Sequence, residues 1–304
     1  MAFRSIYTIF AAMIQYLQLL RPLQWLKNLF VFAPIFFSSN LLKWDLFWPT
    51  LIVFASFCLI SSSIYCFNDL RDVDADRQHP KKCKRPIASG AVSITGGYTM
   101  MFICTIGALA LLPFSQSPNL PYLYLIIGAY WVMNIAYCLQ LKQYALIDVT
   151  IIAIGFVMRV LIGGLTTDIL ISHWLVMMTF LVTLFLAFTK RNDDYRIYEQ
   201  TGQKPRVSIT GYNKTFINEA TAIVASVTMV CYIMYTMSEE VITRMGTRYV
   251  YLTSGWVLAG MLRYLQNMIV FGLSGSPTKS LVKDRFIQFC VVGWIVSFFV
   301  IIYL

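Results

Sequence analysis

Charged residues are scarce in this chain of 304 residues, because only 12% of them are Asp, Glu, Lys or Arg. A typical soluble domain carries about 25% charged residues. Hydrophobic residues make up 58% of the sequence, and the mean hydropathy is +0.67. The shortage of charge excludes an ordinary soluble domain and indicates a protein built largely of membrane-spanning segments.

Histidine is also rare, with two residues, and none of the seven cysteines belongs to a Cys-x-x-Cys pair. A structural zinc site needs clustered ligands of these types, so none is expected. A disulfide framework has no support either, and we interpret the cysteines as small core residues. The net charge of +10 does not indicate a nucleic-acid partner, because the cations lie at the edges of apolar spans.

Nine apolar runs approach the ~20 residues that a helix needs to cross a bilayer. The predicted fold is therefore an all-α membrane protein with nine transmembrane helices. An amphipathic helix over residues 3–20 is expected to lie on the membrane surface before them. No linker divides the sequence, so residues 1–304 are expected to form a single transmembrane domain. The predicted spans are 25–42, 47–67, 97–114, 120–140, 146–166, 172–189, 215–237, 249–271 and 286–304.

The loops alternate sharply in positive charge, which orients the chain by the positive-inside rule. Loops 68–96 and 190–214 hold six Lys or Arg each, whereas 115–119 and 167–171 hold none. The two basic loops and the N-terminus are therefore expected in the cytoplasm. The loops follow the second and sixth spans, and this spacing suggests two halves of four helices each.

The first basic loop opens with an acidic stripe. On a helix of 100° per residue, Asp72 lies about 60° and Asp76 about 20° from Asp69, whereas Asp74 points away. Carboxylates on one face repel each other unless a cation joins them, and oxygen-only ligands suit Mg²⁺. Such a metal can neutralise a departing diphosphate. The alternative is a solvated acidic helix end.

Cations follow the stripe at once, as expected if the ligand is a large polyanion. Arg77 and Arg85 are the strongest candidates, whereas Lys81 and Lys82 are equally well explained by the positive-inside signal. The second loop begins Lys190-Arg191-Asn192-Asp193-Asp194. Because Lys190 and Asp194 are four residues apart, the alternative interpretation is an ordinary ion pair between them at a helix end. One further cation, Arg159, lies inside the fifth span, where a charge costs about 2.5–3.5 kcal/mol and usually has a function.

These features resemble the UbiA superfamily of intramembrane prenyltransferases over nearly the whole chain. The first loop matches the NDxxDxxxD motif of that superfamily through Asn68, Asp69, Asp72 and Asp76. The second motif departs from the usual DxxxD form, because Lys190 stands where the first acid is expected. This departure, the segments Arg21–Asn28 and Lys84–Gly90, and Asp76-Arg77-Gln78-His79-Pro80 resemble the decaprenyl-phosphate phosphoribosyltransferase branch.

The resemblance implies transfer of 5-phosphoribosyl from phosphoribosyl pyrophosphate (PRPP) to a polyprenyl phosphate, in the inner or plasma membrane of a bacterium. Mg²⁺ is the implied cofactor, and a homo-oligomer is allowed. The implied metal ligands are Asn68, Asp69, Asp72 and Asp76. The implied catalytic residues are Asp69, Asp72, Asp76 and Asp194, with Asp193 an alternative to Asp194. The implied substrate-binding residues are Asn68, Arg77, His79, Arg85, Lys190, Arg191, Lys27 and Arg159.

Two other functions fit parts of the pattern. A prenyltransferase of the same superfamily would move an isoprenoid from its diphosphate to an aromatic acceptor. Such an acceptor carries less negative charge than PRPP and a lipid phosphate together, so it leaves the cations at Lys190 and Arg191 without a purpose. An anion transporter would place its binding charges near the bilayer midplane, whereas most acids here cluster at one membrane face. Lys27 has an alternative too, as an interfacial lysine that extends its amine to water.

Overall fold

The computed structural model describes residues 13–38, 40–78, 82–202, 204, 206–272 and 283–303, and every regular element in these ranges is helical. α1 covers residues 13–20 as far as the structure describes it, and a 3-10 helix, Pro22–Phe32, follows. The other helices are α2 Ala33–Phe37, α3 Trp44–Arg71, α4 Val73–Gln78, α5 Ile94–Leu111, α6 Leu120–Leu139, α7 Ile147–Thr167, α8 His173–Thr201, α9 Lys214–Thr236, α10 Glu239–Met245, α11 Ser254–Ile269 and α12 Arg285–Tyr303. The all-α prediction is confirmed.

Six of these helices are long and apolar enough to cross a membrane, namely α3, α5 with its 3-10 extension to Ser115, α6, α7, α8 and α9. They coincide with six of the nine predicted spans, so the chain is an integral membrane protein. The remaining three spans stay predictions. The amphipathic helix over 3–20 stays one as well, because only residues 13–20 lie in the described part of the chain.

The first predicted span, 25–42, is not one continuous α-helix. It is built from the 3-10 helix and the short α2, with Pro34 in the first turn of α2. α2 ends at Phe37, where the Ser38 hydroxyl donates to the Ile35 carbonyl and Asn40 donates to Ser38. These local side-chain bonds compete with helix continuation. The eighth predicted span is likewise divided, because a 3-10 helix, Tyr249–Thr253, precedes α11.

The second acidic and basic segment, which the sequence assigns to a loop, is instead helical. α8 continues to Thr201, beyond the predicted span end at residue 189. No glycine or proline interrupts residues 190–201, and Arg191 pairs with Asp194 one turn later at 2.7 Å. The helix ends where Gly202 adopts a left-handed conformation with φ 67°, which glycine takes without the steric cost of a side chain.

The chain divides into two compact units, one made of residues 1–141 with 158–170 and the other of 142–157 with 171–304. In the first unit, α3 packs on α5 and α6 through a buried core that includes Phe57, Ile60 and Ile127. Some polar groups inside this core form hydrogen bonds between helices. The Ser56 hydroxyl, for example, donates to the Ala108 carbonyl at 2.7 Å, as polar side chains between membrane helices commonly do.

In the second unit, α8 packs against α9, and the apolar faces of both helices meet the start of α7. The core there includes Val149, Phe188 and Ile217. The short 3-10 helix Val207–Gly211 closes this core, because Ile209 is fully buried in it. Residues 207–211 are therefore anchored to the unit rather than freely solvated.

A glycine permits one close approach in the first unit. A Cβ added to Gly163 of α7 would overlap the carbonyl oxygen of Val31 in the 3-10 helix, whereas one added to Gly128 of α6 would meet nothing within 4 Å. The backbones of α7 and the 3-10 helix can therefore touch at this point only because residue 163 lacks a side chain.

We expect Gly163→Ala to lower the stability of the protein by about 1–3 kcal/mol, because the backbones must separate. The measurement is the midpoint of unfolding in detergent. The matched control is Gly128→Ala, which should be neutral or stabilise by up to ~1 kcal/mol as alanine favours the helix. Equal midpoints for the two variants would contradict the close approach.

Candidate active site

The acidic stripe lies at the junction of α3 and α4 in the first unit. α3 ends at Arg71, and Asp72 leaves the helical region slightly with φ −96° and ψ 10°. The backbone nevertheless keeps its four-residue spacing, since the amide of Asp72 donates to Asn68 and that of Asp76 to Asp72. Asp69 and Asp76 are both 2% exposed, whereas Asn68 and Asp72 are half-buried and Asp74 is exposed.

Arg85 joins the two buried carboxylates of the stripe. Its Nη1 donates to Oδ1 of Asp69 at 3.0 Å and to Oδ2 of Asp76 at 2.6 Å. Lys82 adds a longer ion pair to Asp76 at 3.9 Å. Arg85 is positioned by the turn that follows it, because the amide of Ser89 donates to its carbonyl oxygen. The structure thus brings together three predicted site residues, namely Asp69, Asp76 and the cation Arg85 that joins them.

Arg21 is a partner that the sequence reasoning missed. Its guanidinium donates to Oδ1 of Asp69 at 2.5 Å and lies 4.9 Å from the centre of the Tyr65 ring. Its backbone is left-handed, with φ 54° and ψ 61°, a conformation that costs a non-glycine residue about 1–3 kcal/mol. The sequence signal for this unusual backbone was the Arg21-Pro22 pair, because proline disfavours helical geometry in the residue before it.

The oxygens of the stripe fit Mg²⁺. Oδ2 of Asp69 is buried and accepts no hydrogen bond from any described residue. No group of three His, Cys, Asp or Glu side chains in the described ranges converges closely enough to hold a metal alone. Mg²⁺ does not require such a group, because proteins usually hold it with one or two carboxylates and substrate phosphates. The open oxygen of Asp69, with Asp72 and Asn68 beside it in the sequence, provides that kind of partial shell.

Three further predicted residues of the first unit have no contact with the two buried carboxylates that the structure describes. Arg77 is exposed and pairs with Asp74 at 3.3 Å, and Lys27 is exposed on the 3-10 helix. His79 lies outside the described residues. The substrate-binding roles of all three stay predictions.

Arg159 is buried inside the first unit, with 5% of its surface exposed. Its Nε donates to Oδ1 of Asn28 and its Nη2 to the Tyr130 hydroxyl, both at 2.8 Å. The guanidinium also lies 4.9 Å from the ring centres of Phe57 and Tyr130. Buried polar groups of this kind must be hydrogen-bonded, and the sequence identified the cation but not these partners.

In the second unit, Arg191 is fully buried. Its Nε donates to Oδ2 of Asp148 and its Nη1 to Oδ2 of Asp194, both at 2.7 Å. Arg206 reaches the same Asp194 oxygen at 3.1 Å. Lys190, by contrast, lies on the exposed side of α8. An ion pair at the helix end does form, as the alternative interpretation expects, but through Arg191 and Arg206.

Asp148 is the second residue that the sequence reasoning missed. Its carboxylate is fully buried and accepts hydrogen bonds from Arg191, from the Ser208 hydroxyl at 3.1 Å and from the Tyr212 hydroxyl at 2.7 Å. Burial raises the pKa of the Tyr212 phenol above its usual range, and the hydrogen bond from this phenol to Asp148 raises it further. The phenol therefore remains a donor at neutral pH. The sequence signal for Asp148 was its position as a single acid at the start of an apolar span.

We expect Asp148→Asn to destabilise the protein by about 3 kcal/mol, because a fully buried guanidinium loses half of its charge compensation. The measurement is the unfolding midpoint in detergent, with Asp45→Asn as the control. Asp45 is exposed in the first turn of α3, so its neutralisation should cost below ~1 kcal/mol. A similar small loss for Asp148→Asn would show that the network contributes little to stability.

The comparisons with known proteins agree with this architecture. Residues 28–269 match the UbiA prenyltransferase family. A solved structure of a UbiA homolog from Archaeoglobus fulgidus bound to DMAPP and Mg²⁺ superposes with a TM-score of 0.68 at 17% identity, over 95% of this chain and 99% of that one. A UbiA homolog from the same organism bound to GPP and Mg²⁺ gives a TM-score of 0.67 at 17% identity, over 95% of this chain and 100% of that one. These likenesses establish the fold.

Curated relatives named decaprenyl-phosphate phosphoribosyltransferase match most of this chain. The protein of Mycolicibacterium smegmatis is 32% identical over 90% of this chain and 88% of its own length. The protein of Corynebacterium glutamicum is 29% identical over 94% and 86%, respectively. The family predicted from Asn68, Asp69, Asp72 and Asp76 is confirmed by these matches. The chain belongs to the UbiA prenyltransferase family.

Proposed function

We propose that the protein transfers 5-phosphoribosyl from PRPP to a polyprenyl phosphate and releases diphosphate. The observation that carries the proposal is the acidic stripe enclosed by cations, in which Arg21 and Arg85 hold Asp69 while its Oδ2 stays open. A magnesium diphosphate requires both carboxylates that bind the metal and cations that bind the phosphate oxygens. The similarity to the two phosphoribosyltransferases over about nine-tenths of the chain supports the choice of donor.

Asp69, Asp72 and Asp76, with Asn68, would hold the metal, which when bound neutralises charge on the departing diphosphate. Arg85 orients Asp69 and Asp76 through its two hydrogen bonds. Because the fold already fixes the N–H groups of Arg85 and these carboxylates, little reorganisation is needed when charge develops.

The reaction breaks the bond between ribose C1 and the diphosphate oxygen, and the electron pair leaves with diphosphate. Positive charge then develops on C1 and the ring oxygen, where Asp194 or Asp193 would stabilise it. A phosphate oxygen of the lipid attacks C1 from the opposite face and forms the new C–O bond with inversion. That oxygen is already anionic at neutral pH, so no general base is required, and catalysis rests on positioning.

The other predicted residues would balance the phosphate charge of donor and acceptor. Lys190, Arg77 and His79 are proposed for the donor, and Lys27 and Arg159 for the lipid phosphate. Arg191 is fully buried between two carboxylates, so we propose that it also positions Asp194. The asymmetry of basic loops supports an active site facing the cytoplasm, where a charged donor is soluble.

The competing function is prenyl transfer to an aromatic acceptor. The observation in its favour is that the solved neighbours from Archaeoglobus fulgidus are bound to the isoprenoid diphosphates GPP and DMAPP. Those proteins share only 17% of their residues with this chain, so their ligands do not specify the donor here. The basic character of the second motif at Lys190 favours a more highly charged donor.

We expect the purified full chain to release diphosphate when given PRPP, polyprenyl phosphate and Mg²⁺, and to stop when the metal is chelated. Product formation is followed by mass spectrometry of the lipid. The parallel reaction contains a prenyl diphosphate with an aromatic acid. Turnover in that reaction together with none from PRPP would refute the proposal in favour of prenyl transfer.

We expect Asp72→Ala to reduce diphosphate release at least ~100-fold, because the metal loses a carboxylate. Its matched control is Asp74→Asn, which removes an acid from the same run but from the exposed side. Asp74→Asn should retain nearly full turnover. An Asp72→Ala variant with wild-type turnover and unchanged Mg²⁺ dependence would refute the metal role of the stripe.

A further inference from the structure

An apolar groove lies in the second unit between α8, α11 and α12, and its volume is about 240 Å³. Its floor is buried, because the lining residues Phe185, Tyr264 and Ile287 are each at most 6% exposed. Val182 and Val291 also line the groove and are exposed, so it is open on one side. An apolar cavity of about 150 Å³ accepts a benzene molecule. The groove is therefore large enough for part of one hydrocarbon chain.

The two tryptophans of the groove use their polar atoms inside the protein. Nε1 of Trp256 donates to the Ser297 hydroxyl at 3.1 Å, and Nε1 of Trp294 donates to the Tyr232 hydroxyl at 2.7 Å. The groove therefore presents mainly aromatic faces and aliphatic carbon. α8 is long and apolar enough to cross a membrane, and lipid chains are the apolar molecules around such a helix. The favoured occupant is a lipid chain.

A polar cluster adjoins the floor of the groove, and Asp284 lies at its centre. Oδ1 of this carboxylate accepts a hydrogen bond from the amide of Ile287 at 3.0 Å. Its Oδ2 accepts from Nε of Arg263 at 2.9 Å and from Nδ2 of Asn267 at 2.8 Å. Because Ile287 and Tyr264, the neighbour of Arg263, both line the groove, the cluster lies beside one end of it.

Two side chains of this cluster keep unused hydrogen-bonding groups of opposite kinds. A guanidinium has five N–H donors, and Arg263 uses two of them on described residues, namely Asp284 and Gln266. Asn267 is only 5% exposed, and its Oδ1 accepts no hydrogen bond from any described residue. A buried acceptor in this state is costly. The cluster can therefore bind a ligand that both accepts hydrogen bonds and donates one.

The cluster is also positively charged. Exposed Lys283 and Arg285 flank Asp284 in the sequence, and with Arg263 they make three cations against one acid, a net charge of +2. This charge favours an anionic headgroup over a neutral one.

We propose that the groove binds one molecule of phosphatidylglycerol, an anionic phospholipid whose headgroup carries hydroxyls. One acyl chain occupies the groove, the phosphate accepts hydrogen bonds from Arg263, and a headgroup hydroxyl donates to Oδ1 of Asn267. A polyprenyl phosphate has no such hydroxyl. The bound phospholipid is therefore a different molecule from the acceptor of the proposed function, and it takes no part in the reaction.

The first test uses the purified full chain in detergent. Native mass spectrometry counts the bound phospholipids, and the unfolding temperature is measured in parallel. We expect phosphatidylglycerol to be retained as one molecule and to raise the unfolding temperature. Phosphatidylcholine, whose headgroup has neither net charge nor a hydroxyl, should bind at least about tenfold more weakly. Equal affinity for the two lipids, or no retained lipid, would overturn the assignment.

Arg263→Gln should weaken the binding of phosphatidylglycerol at least about tenfold, because a charge-assisted hydrogen bond to the phosphate is lost. The matched control is Arg248→Gln, which removes an exposed cation that precedes the 3-10 helix Tyr249–Thr253 and does not line the groove. Its affinity should equal that of the wild type. Unchanged binding by Arg263→Gln would contradict the proposed contact with the phosphate.

A second pair of variants leaves the ion pair intact and tests the groove itself. Gly260 lines the groove, and an added Cβ would lie 3.6 Å from Cβ of Cys290, an ordinary contact. Gly260→Leu should therefore fold, fill the groove and weaken lipid binding about tenfold or more. Gly255→Leu of the same helix, where a Cβ meets nothing within 4 Å, should bind as the wild type does.

Two outcomes would give the groove to another occupant and overturn the proposal. Displacement of phosphatidylglycerol by an equal concentration of polyprenyl phosphate would assign the groove to the acceptor. A stable dimer that dissociates in Gly260→Leu but not in Gly255→Leu would assign it to a second copy of the chain.

Discussion

Pairing of guanidinium groups with buried oxygens is the interaction on which the rest of this structure depends. An unpaired charge in an apolar interior costs several kcal/mol. Arg85 therefore bridges Asp69 and Asp76, and Arg191 bridges Asp148 and Asp194. Arg159 obtains the same compensation from Asn28 and Tyr130, which are uncharged.

The ion-pair networks around Asp69 and Asp148 differ in exposure and in the carboxylate oxygens that they leave without a hydrogen bond. Around Asp69 the cations are a quarter exposed, and one carboxylate oxygen has no donor among the described residues. That arrangement can exchange its internal contacts for a metal and phosphate oxygens. Asp148, in contrast, has both oxygens engaged and no exposed surface. Its network ties the segment after α8 to the start of α7, so we interpret it as structural support for Asp194.

The fold class and most of the spans could be predicted because apolar length is a local property of the sequence. The predicted ends of the helices were less accurate where other local interactions compete with apolar length. At Ser38 and Asn40, side-chain hydrogen bonds end α2 early. At residues 190–201, a charged segment resembles a loop in composition, but it continues α8 because its own ion pairs and the absence of glycine favour a helix.

The sequence by itself determined the chemistry of the acidic stripe, since the spacing of Asp69, Asp72 and Asp76 follows from helix periodicity alone. It also determined the family, through that motif and its basic counterpart. Only the tertiary structure decided which cation meets which acid. Arg21 lies 48 residues from Asp69, and Asp148 lies 43 residues from Arg191. Such contacts depend on how helices pack, and no periodic pattern along one helix encodes a partner on another.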